Sequence, residues 1–302
     1  MTIEFFESAR TLLRFAGFRF WTASLLPALV GMTLPFWLRP SGFSFRLPAA
    51  IEFLFATLLL HAGLSFLLAL FEGKATATWT KPRLMKYASV CMIAACLFGM
   101  HLNSGLTLHY GVPRSIFIIY GLVTLFVGAL YVIPPLNFYR RMGGEIVVAE
   151  GLGMIPVLGA YLVQVGDITR TVYLTALPLV VATGLWVWME ELASSSDDEK
   201  AGRRTLVIDF CLKFSARFGV LALAVAFIGT LSVAVISASA PPLTLITLLL
   251  IWLVWKIMTI SWNEYTRPER MIALGRHAIA LHLVTGLIFA VSPLITLFGK
   301  AG

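Results

Sequence analysis

Residues 172–192 read VYLTALPLVVATGLWVWMEEL, an almost unbroken apolar run that ends in two carboxylates. A helix of this length crosses the roughly 30 Å hydrocarbon core of a bilayer. The run is continuous rather than alternating, which favours a helix over a barrel strand. We therefore predict that these residues span a membrane and that Glu190 and Glu191 mark the end of the span.

Comparable runs recur along the 302-residue chain, whose composition is 59% hydrophobic and only 13% charged. A soluble domain of this length needs far more charged surface. The predicted spans are residues 18–38, 49–71, 87–104, 115–135, 145–165, 172–192, 215–238, 242–262 and 277–298. The sequence thus predicts an all-α, polytopic membrane protein with about nine transmembrane helices in a single domain, residues 1–302.

The basic residues predict an orientation. The net charge is +8, and Lys and Arg collect in the N-terminal segment and in every second loop. Such segments are cytoplasmic under the positive-inside rule. No basic stretch carries the interleaved aromatic residues of a nucleic-acid surface, so no nucleic-acid partner is expected. We expect a cytoplasmic N-terminus, a polar site formed by the cytoplasmic loops 72–86 and 190–214, and a location in a bacterial inner membrane.

Acidic residues cluster where the run 172–192 ends, and residues 190–205 read EELASSSDDEKAGRRT. If the helix continues, Glu191, Ser194 and Asp198 lie on one face. The same holds for Glu190, Ser194 and Asp197. Carboxylates gathered on one face are the oxygen ligands that Mg²⁺ prefers. The alternative is a solvated acidic helix end followed by a basic turn at the lipid headgroups.

The loop after the second predicted span is basic. Residues 71–86 read FEGKATATWTKPRLMK, in which Glu72 precedes four cations. Lysine and arginine side chains at this spacing bind a diphosphate through charge-assisted hydrogen bonds. The alternative is an ordinary basic cytoplasmic loop.

Four charged residues lie in or near apolar runs, Glu52, Glu145, Glu150 and Lys256. Glu52 and Glu145 are close enough to span ends to reach water, so Glu150 and Lys256 are the stronger candidates for a role. Such residues are costly in a bilayer and usually face a cavity or a charged partner. They leave open a transporter or channel, although the spans show no inverted repeat of broken helices, which disfavours it.

Several short segments, in order, resemble the UbiA superfamily of intramembrane prenyltransferases, and most closely its 1,4-dihydroxy-2-naphthoate prenyltransferase branch. They are residues 19–31 with Arg19, Pro27 and Gly31; Pro134-Pro135-Leu136 with Tyr139-Arg140 and Gly143-Gly144-Glu145; Gly153 with Gly159-Ala160-Tyr161; and Gly202-Arg203-Arg204-Thr205-Leu206. The last of these is similar to the G-K-R-T-L that follows the family's second Asp-rich motif.

The resemblance implies a UbiA-like helical bundle and an activity. It implies transfer of a polyprenyl group from its diphosphate, or use of another isoprenoid lipid, with an aromatic or lipid acceptor, as in quinone and menaquinone biosynthesis. Family members hold Mg²⁺ with two Asp-rich motifs, and the departing diphosphate leaves an allylic cation that the acceptor attacks.

The resemblance also implies roles for individual residues. Catalytic roles fall to Glu72 and Asp198. Metal ligation falls to Glu72, Glu190, Glu191, Asp197 and Asp198. Substrate binding falls to Lys74, Lys81, Arg83, Tyr139, Arg140, Glu145, Arg203 and Arg204.

Both Asp-rich motifs depart from the family pattern. Where the family has N-D-x-x-D, this chain has Leu68-Ala69-Leu70-Phe71-Glu72, and leucine and alanine cannot ligate Mg²⁺. The second motif reads Glu190, Ser194 and Asp198 at its three polar positions. A second hypothesis therefore stays open, a catalytically degenerate relative that binds an isoprenoid, quinone or lipid, or that serves as a subunit of a membrane complex.

Overall fold

The computed structural model describes residues 10–41, 43–111 and 113–298. Within them the secondary structure is helical with no strand, and nine helices are long and apolar enough to cross a membrane. Their bounds are Trp21–Leu38 (α1), Leu47–Phe71 (α2), Lys81–Tyr110 (α3), Arg114–Val132 (α4), Gly144–Val165 (α5), Arg170–Lys200 (α6), Leu212–Ile236 (α7), Pro242–Glu264 (α8) and Pro268–Phe298 (α9). The prediction of an all-α, multi-pass integral membrane protein is confirmed.

Two helices reach further than the apolar runs predicted, and the loops 72–86 and 190–214 are correspondingly shorter. Helix α3 begins at Lys81, because Pro82 in its first turn carries a backbone angle that suits a helix start. Helix α6 continues to Lys200, because residues 192–201 contain neither glycine nor proline. The thickness of the bilayer sets the minimum length of the apolar run, whereas polar residues can extend the same helix into water.

The chain packs as two compact units. Of the described residues, the first comprises those in 10–25 and 45–137, and the second comprises those in 26–44 and 138–298. In the first unit α2 packs along α3, and the aromatic ring of Trp79 stacks on Phe66 with centroids 6.2 Å apart. Tyr87 lies against the same tryptophan at 5.4 Å. This apolar core fixes the start of α3 beneath the polar loop that precedes it.

Helix α6 is the central helix of the second unit. It packs against α9, α7 and the middle of α5, and 72% of its most apolar stretch is buried by protein, against 11% for α4 of the first unit. Its buried polar side chains are satisfied within the unit: the Thr183 hydroxyl lies 3.2 Å from His282 Nδ1, and the Thr175 hydroxyl donates to the Ser239 carbonyl at 2.7 Å. A helix held on all sides is a rigid support for the acidic residues at its end.

Helix α5 approaches α6 closely at a π-helical segment, Glu150–Met154. A Cβ atom on Gly153 would lie 2.7 Å from the Cα of Val180 in α6. Only a residue without a side chain fits this contact. The position matches a glycine that the sequence comparison with the UbiA pattern singled out.

We expect Gly153→Ala to lower the free energy of unfolding by about 1–3 kcal/mol, because the added methyl group overpacks the α5–α6 contact. The matched control is Gly229→Ala, since a Cβ there meets nothing within 4 Å. That control should be neutral or stabilising by up to about 1 kcal/mol, since alanine is the better helix former. Thermal unfolding of the purified variants measures both, and equal melting temperatures would contradict the close approach.

Candidate active site

Helix α6 ends in a closed turn that fixes the position of Arg203. Gly202 has φ +70°, a left-handed conformation that glycine adopts without strain. The Gly202 N–H donates to the carbonyl of Glu199, and the Arg203 N–H donates to the carbonyl of Asp198. This pair of bonds is the Schellman pattern. The turn reverses the chain, so the Arg203 side chain reaches back to the helix that it follows.

The Arg203 guanidinium lies between two carboxylates of α6. Its Nη1 is 2.5 Å from Asp198 Oδ1, and its Nη2 is 3.0 Å from Glu191 Oε1. Nε and Nη2 also donate to the Tyr139 carbonyl at 3.2 and 3.0 Å, and Cζ lies 4.0 Å from the centre of the Tyr139 ring. We call these four residues, Tyr139, Glu191, Asp198 and Arg203, the Arg203 cluster.

The Arg203 cluster is buried and charged. The side chains of Arg203, Asp198 and Glu191 are only 10%, 10% and 12% exposed. Burial lowers the pKa of Arg203, but the negative charges of Glu191 and Asp198 outweigh that effect and hold the pKa above its ordinary value. The guanidinium therefore remains a cation, and the cluster contains a fixed positive charge.

Helical geometry divides the acidic residues of α6 between two faces. Glu191 and Asp198 are two turns apart and share the face toward Arg203. Asp198 Oδ2 accepts a hydrogen bond from Ser194 at 2.5 Å. Asp197 is 88% exposed and lies 3.7 Å from Lys200 on a different face. Glu190 accepts a hydrogen bond from the Trp186 indole at 3.4 Å. The predicted ligands on α6 are thus split, and of these four Glu191 and Asp198 converge.

Helix α5 adds a third buried carboxylate to this region. Glu145 is 5% exposed, and its Oε1 accepts a hydrogen bond from the Leu206 N–H at 2.7 Å. Its Oε2 and the Oε2 of Glu191 are both buried without a hydrogen-bond partner. Glu145 therefore holds the segment that follows Arg203 in place.

Two arginines beside the cluster point outward. Arg204 is 73% exposed and pairs with Asp209 at 2.7 Å, while its N–H donates to the Arg140 carbonyl at 2.9 Å. Arg140 itself is exposed. Both guanidinium groups are thus exposed, although that of Arg204 is paired with Asp209, whereas that of Arg203 is buried in the cluster.

The polar loop of the first unit, residues 72–80, carries its own ion pair. Lys74 Nζ lies 2.8 Å from Glu72 Oε2. A turn between Thr76 and Trp79 closes the loop, since the Thr76 N–H donates to the Trp79 carbonyl and the Trp79 N–H donates to the Thr76 hydroxyl. Arg83 donates to the Thr78 carbonyl at 3.0 Å and stacks on the Trp79 ring at 4.6 Å.

The two apolar substitutions in the first Asp-rich motif are part of the core of the first unit. Ala69 is buried in the cluster that contains Phe66 and Trp79, and Leu68 packs against it. A carboxylate at either position would have to be buried among these apolar side chains, which is costly. Leu68 and Ala69, at the positions that the resemblance assigns to Asn and Asp, therefore belong to the apolar core of the first unit.

The sequence predicted Arg203 as a substrate-binding residue, and in the structure its guanidinium contacts Asp198 and Glu191 of α6. The sequence does indicate this contact in part. Gly202 predicts that α6 ends in a turn that reverses the chain, which directs Arg203 back toward α6. Reasoning from motifs also missed the pair of Glu52 and His101, whose side chains meet at 2.7 Å beside a groove of about 610 Å³ lined by Leu47, Pro48, Ile51, Phe55 and Phe98. Glu150 and Lys256 form no ion pair with each other in the part of the chain that the structure describes.

The carboxylates fit Mg²⁺ poorly as they stand. Both oxygens of Asp198 and one oxygen of Glu191 already accept hydrogen bonds from Arg203 or Ser194. Among residues 10–41, 43–111 and 113–298, no three or more His, Cys, Asp or Glu side chains are grouped as they would be to hold a metal ion. Mg²⁺ needs several oxygen ligands in near-octahedral geometry. We therefore assign no chemical step to a metal at these residues.

We expect Arg203→Met to lower the free energy of unfolding by about 3–5 kcal/mol, because it leaves two buried carboxylates without their cation. The control is Arg204→Met, which removes an exposed partner and should change stability by no more than about 1 kcal/mol. Thermal unfolding in detergent distinguishes the two. A melting temperature for Arg203→Met equal to that of the wild type would contradict a buried ion-pair network.

No protein-family model matches the chain. A curated relative, 1,4-dihydroxy-2-naphthoate octaprenyltransferase of Bacillus subtilis (strain 168), is 25% identical over 178 residues, which make up 59% of this chain and 57% of that protein. The chain thus matches little more than half of the length of this relative.

Solved structures resemble the fold over nearly the whole chain. The apo structure of a UbiA homolog from Aeropyrum pernix K1 has a TM-score of 0.64 at 13% identity and covers 92% of this chain and 98% of that one. A UbiA homolog from Archaeoglobus fulgidus bound to GPP and Mg²⁺ has a TM-score of 0.60 at 15% identity and covers 92% and 99%. At such identities the likeness shows the fold. This chain therefore has the fold of these UbiA homologues, as the resemblance in its sequence predicted.

Proposed function

We propose that this chain is a prenyltransferase that moves a polyprenyl group from its diphosphate to an aromatic or lipid acceptor in quinone or menaquinone biosynthesis. The observation that carries the proposal is the similarity to a 1,4-dihydroxy-2-naphthoate octaprenyltransferase, since it joins sequence to a reaction class. A structural neighbour bound to GPP supports a prenyl diphosphate as the donor. The distribution of Lys and Arg supports a cytoplasmic N-terminus. The bacterial relative supports a location in a bacterial inner membrane.

The donor diphosphate would be held by exposed cations. These are Arg140 and Arg204, which flank the Arg203 cluster in the second unit. In the first unit, considered by itself, Lys74, Lys81 and Arg83 follow Glu72 and remain candidates from the sequence alone. Arginine and lysine side chains make charge-assisted hydrogen bonds to phosphate oxygens. The same groups stabilise the negative charge that develops on diphosphate as it leaves. Glu72 and Asp198, predicted from the family pattern to act in catalysis, remain candidates in this proposal.

The Arg203 cluster contributes to this reaction by positioning Arg140. Tyr139 and Arg140 are adjacent in one short turn, and Arg203 holds that turn through the Tyr139 carbonyl while Arg204 holds it through the Arg140 carbonyl. The cluster therefore sets where the Arg140 guanidinium stands. Arg203 is a positioning residue and Arg140 a substrate-binding residue.

A second candidate function rests on a specific observation. Apolar side chains replace two polar residues of the first Asp-rich motif, and the carboxylates of the second are engaged with Arg203. A protein so altered could bind an isoprenoid or quinone, or serve as a subunit of a membrane complex, without transferring anything.

Incubation of the purified protein in nanodiscs with a radiolabelled polyprenyl diphosphate and 1,4-dihydroxy-2-naphthoate tests the first function. We expect a prenylated naphthoate product and release of diphosphate. Absence of product with this and other phenolic acceptors, together with an isoprenoid or quinone that co-purifies with the protein, would instead identify a binding protein.

Arg140→Gln should weaken binding of the prenyl diphosphate by about tenfold or more, because a charge-assisted hydrogen bond to phosphate contributes about 1.5–3 kcal/mol. The matched control is Arg141→Gln, an exposed neighbour with no assigned role, which should bind nearly as the wild type does. The affinity of a fluorescent prenyl diphosphate analogue measures both. Equal losses in the two variants would refute a specific contact at Arg140.

A further inference from the structure

We propose that Arg203 is the resident cation of the acidic motif on α6, and that this motif binds no Mg²⁺ while Arg203 is in place. The inference starts from the hydrogen-bond partners of the carboxylate oxygens of Asp198 and Glu191. Asp198 uses Oδ1 for Arg203 and Oδ2 for Ser194, and Glu191 uses Oε1 for Arg203. A divalent ion at Asp198 would have to displace the guanidinium.

Displacement of that guanidinium is opposed by the other groups that hold it. The Tyr139 carbonyl accepts two of its N–H groups, and the Tyr139 ring lies against its face at 4.0 Å. The closed turn at Gly202 fixes the backbone of Arg203 one residue later. The cation is thus preorganised, because its position is set by backbone and aromatic contacts as well as by the carboxylates.

The first motif supplies an independent observation of the same kind. Its one surviving carboxylate, Glu72, pairs with Lys74 at 2.8 Å. In each unit, therefore, a cation of the chain lies where the family resemblance predicts a metal. The two pairs differ in burial, since Lys74 is 59% exposed and Arg203 only 10%. A metal ion would therefore displace the buried Arg203 from its carboxylates less easily than it would displace Lys74 from Glu72.

The consequence for the ligand rests on the proposed function. If no Mg²⁺ joins the carboxylates to the diphosphate, the anion is bound by lysine and arginine side chains directly. Binding of a prenyl diphosphate would then persist when divalent ions are removed.

Binding of Mn²⁺ to the full-length protein, followed by the EPR signal of free Mn²⁺, tests the inference without turnover. We expect Asp198→Asn to bind as much Mn²⁺ as the wild type, since Asp198 holds none. The matched control is Asp197→Asn, which removes the same charge from an exposed position one residue away. Loss of bound Mn²⁺ in Asp198→Asn but not in Asp197→Asn would overturn the proposal.

The reverse change should create a site. Arg203→Met frees the oxygens of Glu191 and Asp198, and we expect it to bind Mn²⁺ that Arg203→Lys and the wild type do not bind. Thermal stabilisation of Arg203→Met by Mn²⁺ is the second readout. Should Arg203→Met fail to fold, the comparison of wild type with Asp198→Asn still decides.

Binding of a prenyl diphosphate analogue in EDTA separates this inference from the proposed function. We expect the affinity in EDTA to match that in Mg²⁺. A loss of roughly tenfold or more would overturn the metal-independent contact, since removal of a charged bridge has at least that effect. An analogue that binds in neither buffer would count against the proposed function, and the Mn²⁺ experiment would still decide the role of Arg203.

Discussion

One buried ion-pair network organises the polar end of the second unit. The Arg203 guanidinium joins Glu191 and Asp198 of α6 to the Tyr139 carbonyl, so three segments of chain depend on one side chain. A buried cation is tolerated only when its hydrogen bonds are satisfied and its charge is balanced. Arg203 meets both conditions, since it donates to Asp198, Glu191 and the Tyr139 carbonyl and faces two carboxylates. The segments that carry the exposed Arg140 and Arg204 are bound to this network or adjoin it.

In this network the acidic residues of α6 bind an arginine side chain. Carboxylates on one helical face usually suggest a metal site, because hard cations prefer oxygen ligands. Here the same carboxylates hold an arginine from the turn that ends the helix. The chain has the fold of the UbiA homologues, and the cation that pairs with its acidic residues on α6 comes from the chain itself. Such an arrangement suits either an anion site built from side chains or a protein that only binds its lipid.

The helices could be predicted because the bilayer imposes a simple rule on the sequence. A run such as residues 172–192 must be apolar over the full thickness of the hydrocarbon, and that length identifies the span. The rule applies only to residues inside the hydrocarbon. It therefore did not predict that α6 continues to Lys200 or that α3 begins at Lys81. Local sequence determines those two ends. Residues 192–201 contain no glycine or proline that would end α6, and Pro82 favours the start of α3.

The candidate site was predicted in residue type but not in pairing. The sequence identified Glu191, Asp198 and Arg203 as functional, yet it assigned the carboxylates to a metal and the arginine to a substrate. Which charges meet depends on the handedness of one turn and on the carbonyl of Tyr139, far away in sequence. Motif order does not contain that information, whereas the left-handed glycine at 202 indicates part of it.

A structure of the purified protein determined with Mn²⁺ and a prenyl diphosphate analogue, with anomalous scattering to locate the metal, tests this account most directly. The account predicts Arg203 within hydrogen-bonding distance of Glu191 and Asp198, with no manganese bound to Asp198. A manganese peak coordinated by Asp198, with the Arg203 side chain turned away, would contradict it.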